Sequence, residues 1–599
     1  MTTSTPALPP NGSTARPFDT DVLIVGAGPV GLTLANLLGG YGIRTTLTEA
    51  GEKLIDYPRG VGLDDESLRT FQTAGVVDAV LPHTTPQHIM RMINGKGQVL
   101  ANVAPGAQDF GWSRRNGFIQ PAVDAELFAA LHRFDDVDVL FSHTLLGYTD
   151  DTDGVTATVE LADGSQKSIR ARYLVGSDGG RSIVRKSMGV SFEGQTSPTR
   201  FLVIDLRNDP LGTPNAYLGA DPVRPFVSIG LPHGVRRFEY MIFDEETDEE
   251  VAQADFVHRL LARHVPDPAG VDVIRQRVYT LHARIAGAFR RGHVLIAGDA
   301  AHLMPVWQGQ GYNSGVRDAT NLAWKLTAVL RGIAGDALLD TYDTERRDHA
   351  KAMIDVSVAM GRILSPTNKL VAGTRDRIAA ALNAVPAAKK WIAEGRYKPK
   401  PRFHVGALVE AVGPAAADSP VGSMFPQPHV DTRTEQNVLL DDVLGPWFSV
   451  LVWGNDPRQV FDRPALRTLT ALGVKLVSVR PSTQLHWDAP TETGGPAKHV
   501  ADDPRQHLEV TVVGDPTGKL KSWFDSHPVG FVLIRPDRYV GAAALAQHGS
   551  SVVAALADAL HLATGDHQDG VDRVTTRGAS EIAGVVTAEV VTAEVVTAG

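Results

Sequence analysis

A short apolar run, Val22–Val25, leads directly into Gly26-Ala27-Gly28-Pro29-Val30-Gly31, and a helix-period stripe of Leu32, Ala35, Leu37 and Leu38 follows. Nothing else in the chain restricts its fold as strongly. An apolar run of this length reads as a strand covered on both faces, and the stripe reads as the helix that packs on it. The three spaced glycines then have separate tasks. Gly26 permits a tight turn, Gly28 lets a ligand approach the helix N-terminus, and Gly31 allows close packing of helix on strand. A second strand ends on Glu49, where a carboxylate can accept hydrogen bonds from ribose hydroxyls. Strand, turn, helix and acid together form the fingerprint of a dinucleotide site, with the pyrophosphate at the helix N-terminus.

Two further stretches decide which dinucleotide. "RYLVGSDGGRSIVRKSMG" (172–189) ends a strand on Asp178-Gly179, and "HVLIAGDAAHLMPVWQGQGYNSG" (293–315) ends one on Gly298-Asp299 before a glycine-rich loop. A nicotinamide coenzyme needs only the first motif. FAD lies extended across its domain, so its ribityl hydroxyls call for another carboxylate and its flavin ring for permissive backbone. Asp299 meets the first need, and Pro305 with the Gly309, Gly311 and Asn313 backbone meets the second.

The remaining chain sets the architecture. With 599 residues it exceeds a single core. The expectation is an α/β chain: residues 1–18 a disordered leader, and 19–189 the first part of a Rossmann-like domain with excursions around 85–115. Alternating runs such as "FLVIDL", "FVSIGL" and "FEYMIF" make 190–278 an inserted antiparallel sheet for substrate. Residues 279–400 return to the first domain and add helices, and 401–437 read as a linker, marked by the proline and basic residues around "RYKPKPRFHVGAL". Residues 438–570 hold strands and helices enough for a separate α/β core, and 571–599, with a repeated "VVTAE", read as a flexible tail. The formal net charge of −10, without a basic stripe, argues against nucleic acid and anionic membrane as partners. The absence of cysteine excludes disulfides and thiolate chemistry and suits a cytoplasmic location. The 20 histidines show no ligand spacing, so no metal site is expected.

The three motifs resemble those of the FAD-dependent aromatic hydroxylases. Within that class, "DGGRSIVR" (178–185) resembles the second fingerprint, and Arg59 in "PRGVGLDDESLRTF" and Gln120 in "QPAVDAEL" match FAD-contacting positions. The loop "GDAAHLMPVWQGQGYNSG" and "RRFEYM" are most similar to those of 3-(3-hydroxyphenyl)propionate hydroxylases, rather than polyketide-tailoring members. The resemblance implies bound FAD, NADH or NADPH as co-substrate, O₂, and ortho-hydroxylation of a phenolic acid in aromatic catabolism. It also implies that 438–570 is thioredoxin-like, necessarily without dithiol chemistry, with packing or homo-oligomer formation as its use. An FAD halogenase would carry a Trp-x-Trp segment, which is absent here; a non-catalytic FAD redox sensor is the alternative of another class.

No base for the phenol can be named from the sequence. His302 follows Asp299 closely and reads either as a flavin or substrate contact or as a buried structural histidine. Trp307 and Tyr312 line the substrate site or pack the loop. Arg236 and Arg237 bind a substrate carboxylate or pair with Glu239.

Overall fold

The computed structural model describes residues 17–57, 59–409, 419–486 and 508–563. The leader up to residue 16 and the tail 571–599 lie outside these. Five parallel strands, in the order Val294–Ile296, Gln166–Gly176, Thr20–Val25, Thr45–Glu49 and Val137–Phe141, form the centre of the first sheet. Such strands need cover on both faces, which is why Val22, Leu23 and Ile24 are fully buried. The covering helix Pro29–Gly40 is apolar nearly all round and lies along helix Gly311–Leu330. Asn36 within it donates to Leu32 O at 2.9 Å and Leu127 O at 2.8 Å, which ties it to helix Gln120–Leu131.

A second sheet of eight strands stands beside the first. Its long pair, Phe192–Arg207 and Asp272–Ala286, is antiparallel, and Val235–Ile242, Phe226–Leu231 and Ala216–Ala220 extend it. Met90–Asn94 and Val99–Val103 complete the far edge through a parallel pairing with Ala216–Ala220. Residues from two distant parts of the chain therefore build one wall.

The C-terminal unit has a five-stranded mixed sheet in the order Val510–Asp515, Lys475–Pro481, Ser449–Trp453, Phe531–Ile534 and Val540–Ala544. It is bound to the first domain by buried charge. Arg69 makes a two-pronged contact with Asp441 at 2.6 and 2.8 Å and donates to Phe425 O at 2.6 Å. The described part of 401–437 is not an extended linker. Phe403 and Phe425 are buried, and His429–Val430 pairs with Val438–Leu439. Pro420 O accepts from Ser423 N–H at 3.0 Å and Arg402 donates to Ser419 O at 2.7 Å, which folds the segment back on itself.

Candidate active site

One cavity of about 300 Å³ joins the two sheets, within the range of small-molecule sites. Gly28, Pro29 and Val30 line it at one helix N-terminus, and Gly309 to Asn313 line it at another. The first N–H groups of a helix have no partner within the helix, so both ends offer donors and a positive dipole end. The glycines differ in the way their spacing requires. A Cβ on Gly26 would lie 2.6 Å from Ser177 O, and one on Gly31 would lie 2.1 Å from Gly26 O. A Cβ on Gly28 would meet nothing within 4 Å, and the same holds at Gly309, whose φ of +61° also favours glycine. Gly26 and Gly31 are thus glycine for packing, whereas Gly28 and Gly309 keep space clear for a ligand. Asp299 lines the same cavity, and no hydrogen bond from a described residue occupies its carboxylate. Open backbone, two helix N-termini and an unengaged carboxylate fit an extended dinucleotide such as FAD.

Several other residues singled out in the sequence shape this cleft from behind. Glu49 accepts from Ala27 N–H at 2.9 Å and Gly51 N–H at 2.8 Å, which holds it beside the turn. Gln120 Oε1 accepts from Arg59 N–H at 3.2 Å and Gly60 N–H at 2.6 Å, so it fixes the loop that carries Arg59. Asn313 is saturated: it accepts from Asp64 N–H and Ser67 Oγ and donates to Gly62 O and Gly309 O. Only its backbone is left for a ligand. Asp178 accepts from the N–H groups of Ile183 and Val184 with one oxygen, and its other oxygen has no partner.

The wall opposite the backbone loops is apolar, formed by Met90, Ala216, Leu218, Val227 and Ile229 of the second sheet with Met304 and Trp307. Trp307 is both cavity lining and packing, edge-on to Phe201 at 5.3 Å. Glu239 projects into this wall; its carboxylate accepts from Tyr279 Oη at 2.7 Å and lies 3.9 Å from Arg237 Nη1. Burial raises its pKa against the opposing pull of Arg237.

The catalytic candidates from the sequence have other duties. His302 is buried, with Nε2 2.7 Å from Asp318, whose carboxylate also accepts from Arg346 and from Gly298 N–H. It holds the turn bearing Asp299 and does not line the cavity. Tyr312 presents its ring to the cavity but turns its hydroxyl to Asp124 at 3.5 Å; burial pushes the Asp124 carboxyl up to about 7. Arg237 is committed to Asp205 through bonds of 2.8 and 3.0 Å. Arg236 pairs with Asp209, not with Glu239. Strand geometry explains the split, because consecutive side chains point to opposite faces. Sequence reasoning had Glu239 in view only as an ion-pair partner; its place in a strand of the inserted sheet was the available signal.

The fold and cleft are those of a protein that binds an extended dinucleotide beside an apolar cavity. Residues 19–357 match the family model described as "FAD binding domain", and 422–559 match "HcaD C-terminal domain". The chain belongs to the FAD-dependent hydroxylase family that these models and its relatives define. It is 55% identical over 590 residues to a 3-(3-hydroxy-phenyl)propionate/3-hydroxycinnamic acid hydroxylase of Mycobacterium avium, covering 96% of this chain and 99% of the relative. A protein of the same name from Mycolicibacterium smegmatis is 56% identical over 549 residues, covering 92% and 95%. Among solved structures, the flavin-dependent monooxygenase PieE in complex with FAD and substrate superposes with a TM-score of 0.72 at 23% identity, covering 90% of this chain and 99% of PieE. That likeness supports the fold.

Proposed function

We propose that this chain is an NAD(P)H- and O₂-dependent FAD monooxygenase that converts 3-(3-hydroxyphenyl)propionate and 3-hydroxycinnamate to their 2,3-dihydroxy products. The observation that carries this is the single cavity in which ligand-ready glycine backbone faces an apolar sheet wall interrupted by one buried carboxylate, Glu239. The names of the 55% and 56% identical relatives point to the same substrates. FAD, when bound, supplies reduction by NAD(P)H and activation of O₂ for electrophilic oxygen transfer.

The chain supplies the rest. Gly28 and the N-terminus of helix Pro29–Gly40 receive the pyrophosphate, Glu49 the adenosine ribose, and Asp299 the ribityl hydroxyls. Arg59, Gln120 and Asp178 border the cofactor, and the Pro305–Asn313 backbone lies under the flavin. The wall of Met90, Leu218, Val227 and Ile229 holds the phenol ring and keeps bulk water out. Glu239 accepts the phenolic proton at a carboxylate oxygen, which makes the ring electron-rich ortho and para to its oxygen. Tyr279 holds that carboxylate in place. The C-terminal sheet, with a parallel strand–helix–strand unit at Ser449–Pro481 and a hairpin at Phe531–Ala544, supports the thioredoxin-like reading. Among the described residues no helix is long and apolar enough to cross a membrane.

The test is incubation of the FAD-loaded enzyme with NADH and each acid in air, with products identified by chromatography and mass. Dihydroxy products with matched NADH and O₂ consumption are expected. Conversion of a polycyclic phenol in place of both acids would make the chain a tailoring hydroxylase. NADH oxidation unstimulated by any phenol would make it a sensor.

A further inference from the structure

The acid substrates of the proposed reaction carry a charge that the apolar wall cannot hold, so the cavity must offer a cation. Four basic side chains line it: Arg59, His88, Arg114 and Arg115. Arg236 and Arg237, the pair suggested by sequence, are neutralised by Asp209 and Asp205. His88 is neutral, because burial pushes its imidazolium down to about 4, and its Nε2 is engaged with Gly230 O at 3.0 Å. Arg59 rides on the loop beside the cofactor cleft, and Arg114 reaches away from the inner cavity toward Glu394 O at 3.5 Å.

Arg115 is different. Its side chain has one described hydrogen bond, from Nε to His88 O at 3.3 Å, and among the described residues no carboxylate forms an ion pair with it. It is nonetheless half-buried, and desolvation is the largest influence on its guanidinium. A partly desolvated cation with no paired carboxylate is unfavourable, and a bound carboxylate would relieve that cost. A guanidinium also suits a carboxylate through two parallel N–H donors. The backbone beneath it is firmly held: Asn116 donates to Leu63 O at 3.1 Å and Ser113 O at 2.8 Å, and strand Asn116–Phe118 pairs with Gly62–Leu63 at the cofactor cleft.

Arg115 also stands where two spaces meet. An outer cleft between the second sheet and the C-terminal unit is lined by Arg396, Lys398, Lys400 and Arg402 as well as Asp65, Glu66, Asp109 and Glu394, and it shares Arg114, Arg115, Gln308 and Gln310 with the inner cavity. Lys398, the neighbouring inward cation, is already taken by Asp64 at 3.0 Å and Glu66 at 3.9 Å.

We propose that Arg115, at the neck between the charged outer cleft and the apolar cavity, binds the substrate's carboxylate and selects short-chain aryl acids over neutral phenols. This rests on the phenolic-acid reading above. The test compares the FAD-loaded wild type with Arg115→Gln and Arg115→Lys on 3-(3-hydroxyphenyl)propionate and on the uncharged 3-(3-hydroxyphenyl)propanol. Binding of 3-phenylpropionate and 3-phenylpropanol is followed in parallel by perturbation of the flavin absorbance. Loss of a charge-assisted contact should cost the acid roughly 10- to 100-fold in affinity. In Arg115→Gln that loss should appear in KM more than kcat, the acid-to-alcohol preference should fall toward one, and Arg115→Lys should restore part of it. Arg396→Gln, which removes the same charge at the outer cleft from a residue paired with Glu394 at 2.5 Å, should leave the preference in place.

Retention of the preference in Arg115→Gln, with FAD still bound, would overturn the proposal. So would a preference lost equally in Arg396→Gln, which would assign it to the general field. If wild type hydroxylates neither phenol, the functional reading falls. The binding arm still decides the role of Arg115: a preference for the anion that Arg115→Gln abolishes upholds it, and no preference in wild type refutes it.

Discussion

Glu345 joins three parts of the molecule, and its removal should be far more damaging than the loss of an ordinary ion pair. It lies on helix Asp340–Leu364, fully buried. One oxygen accepts from Lys325 at 2.8 Å, Asn321 at 2.6 Å and Arg535 Nη2 at 2.8 Å; the other accepts from Arg535 Nη1 at 2.7 Å and Ala407 N–H at 2.8 Å. Lys325 and Asn321 belong to the helix whose N-terminus faces the cofactor cleft, and Arg535 belongs to the C-terminal unit. Glu345→Gln keeps the shape but leaves two buried cations with Asp537 as their remaining acid. Breaking a buried pair in this way costs about 3–5 kcal/mol. The control is Asp355→Asn on the same helix, whose partner Lys351 is 3.1 Å away with both side chains 63% exposed; exposed pairs are worth about 0–1 kcal/mol. Urea unfolding followed by both flavin fluorescence and circular dichroism measures the difference. Arg535 and Lys325 hold the Glu345 carboxyl well below the usual carboxylate range. The advantage over the glutamine variant is therefore complete above about pH 4.3 and lost as pH falls below it. A loss under about 1 kcal/mol at neutral pH, no larger than that of the exposed control, would refute the argument.

Other outcomes follow from the cleft. Gly28→Val should fold, since its Cβ has no neighbour within 4 Å, yet purify colourless; full FAD occupancy would remove the pyrophosphate from this turn. Asp299→Ala should weaken FAD by roughly ten- to hundredfold, the worth of lost charge-assisted bonds at ~1.5–3 kcal/mol each, and an unchanged FAD dissociation constant would contradict its ribityl role. Wild-type kcat/KM should rise with pH through a limb above the ordinary carboxylate range, because burial raises the Glu239 pKa and only the ionised form accepts a proton. Glu239→Gln should lower kcat by about 10²–10⁴-fold and remove that limb; a variant that keeps the limb assigns the proton elsewhere. Truncation after Lys400 should leave Arg69 without Asp441 and Glu345 without Arg535, so light scattering and thermal unfolding should show aggregation or destabilisation, and an unaltered truncated enzyme would make the C-terminal unit dispensable.

What could be read in the chain order were the features whose requirements are local. Gly26, Gly28 and Gly31 declare a turn because each constrains backbone within six residues, and Asp299 is visible because a strand ends beside it. Alternation marked the strands of the second sheet for the same reason: side-chain direction in a strand repeats every two residues. The partners of charged groups could not be read this way. Arg236 and Arg237 are adjacent in sequence, yet register sets Asp205 opposite Arg237 while Arg236 reaches Asp209 in a following loop. Arg115 sits in "WSRRNG", which has no motif, and its significance comes from lacking an acid once the strands are assembled. Glu345 and Arg535 are 190 positions apart. Local backbone preferences act before the chain is compact, but desolvation and ion pairing exist only after distant segments have closed over a charge, and those long-range terms decide which charged groups face the cavity.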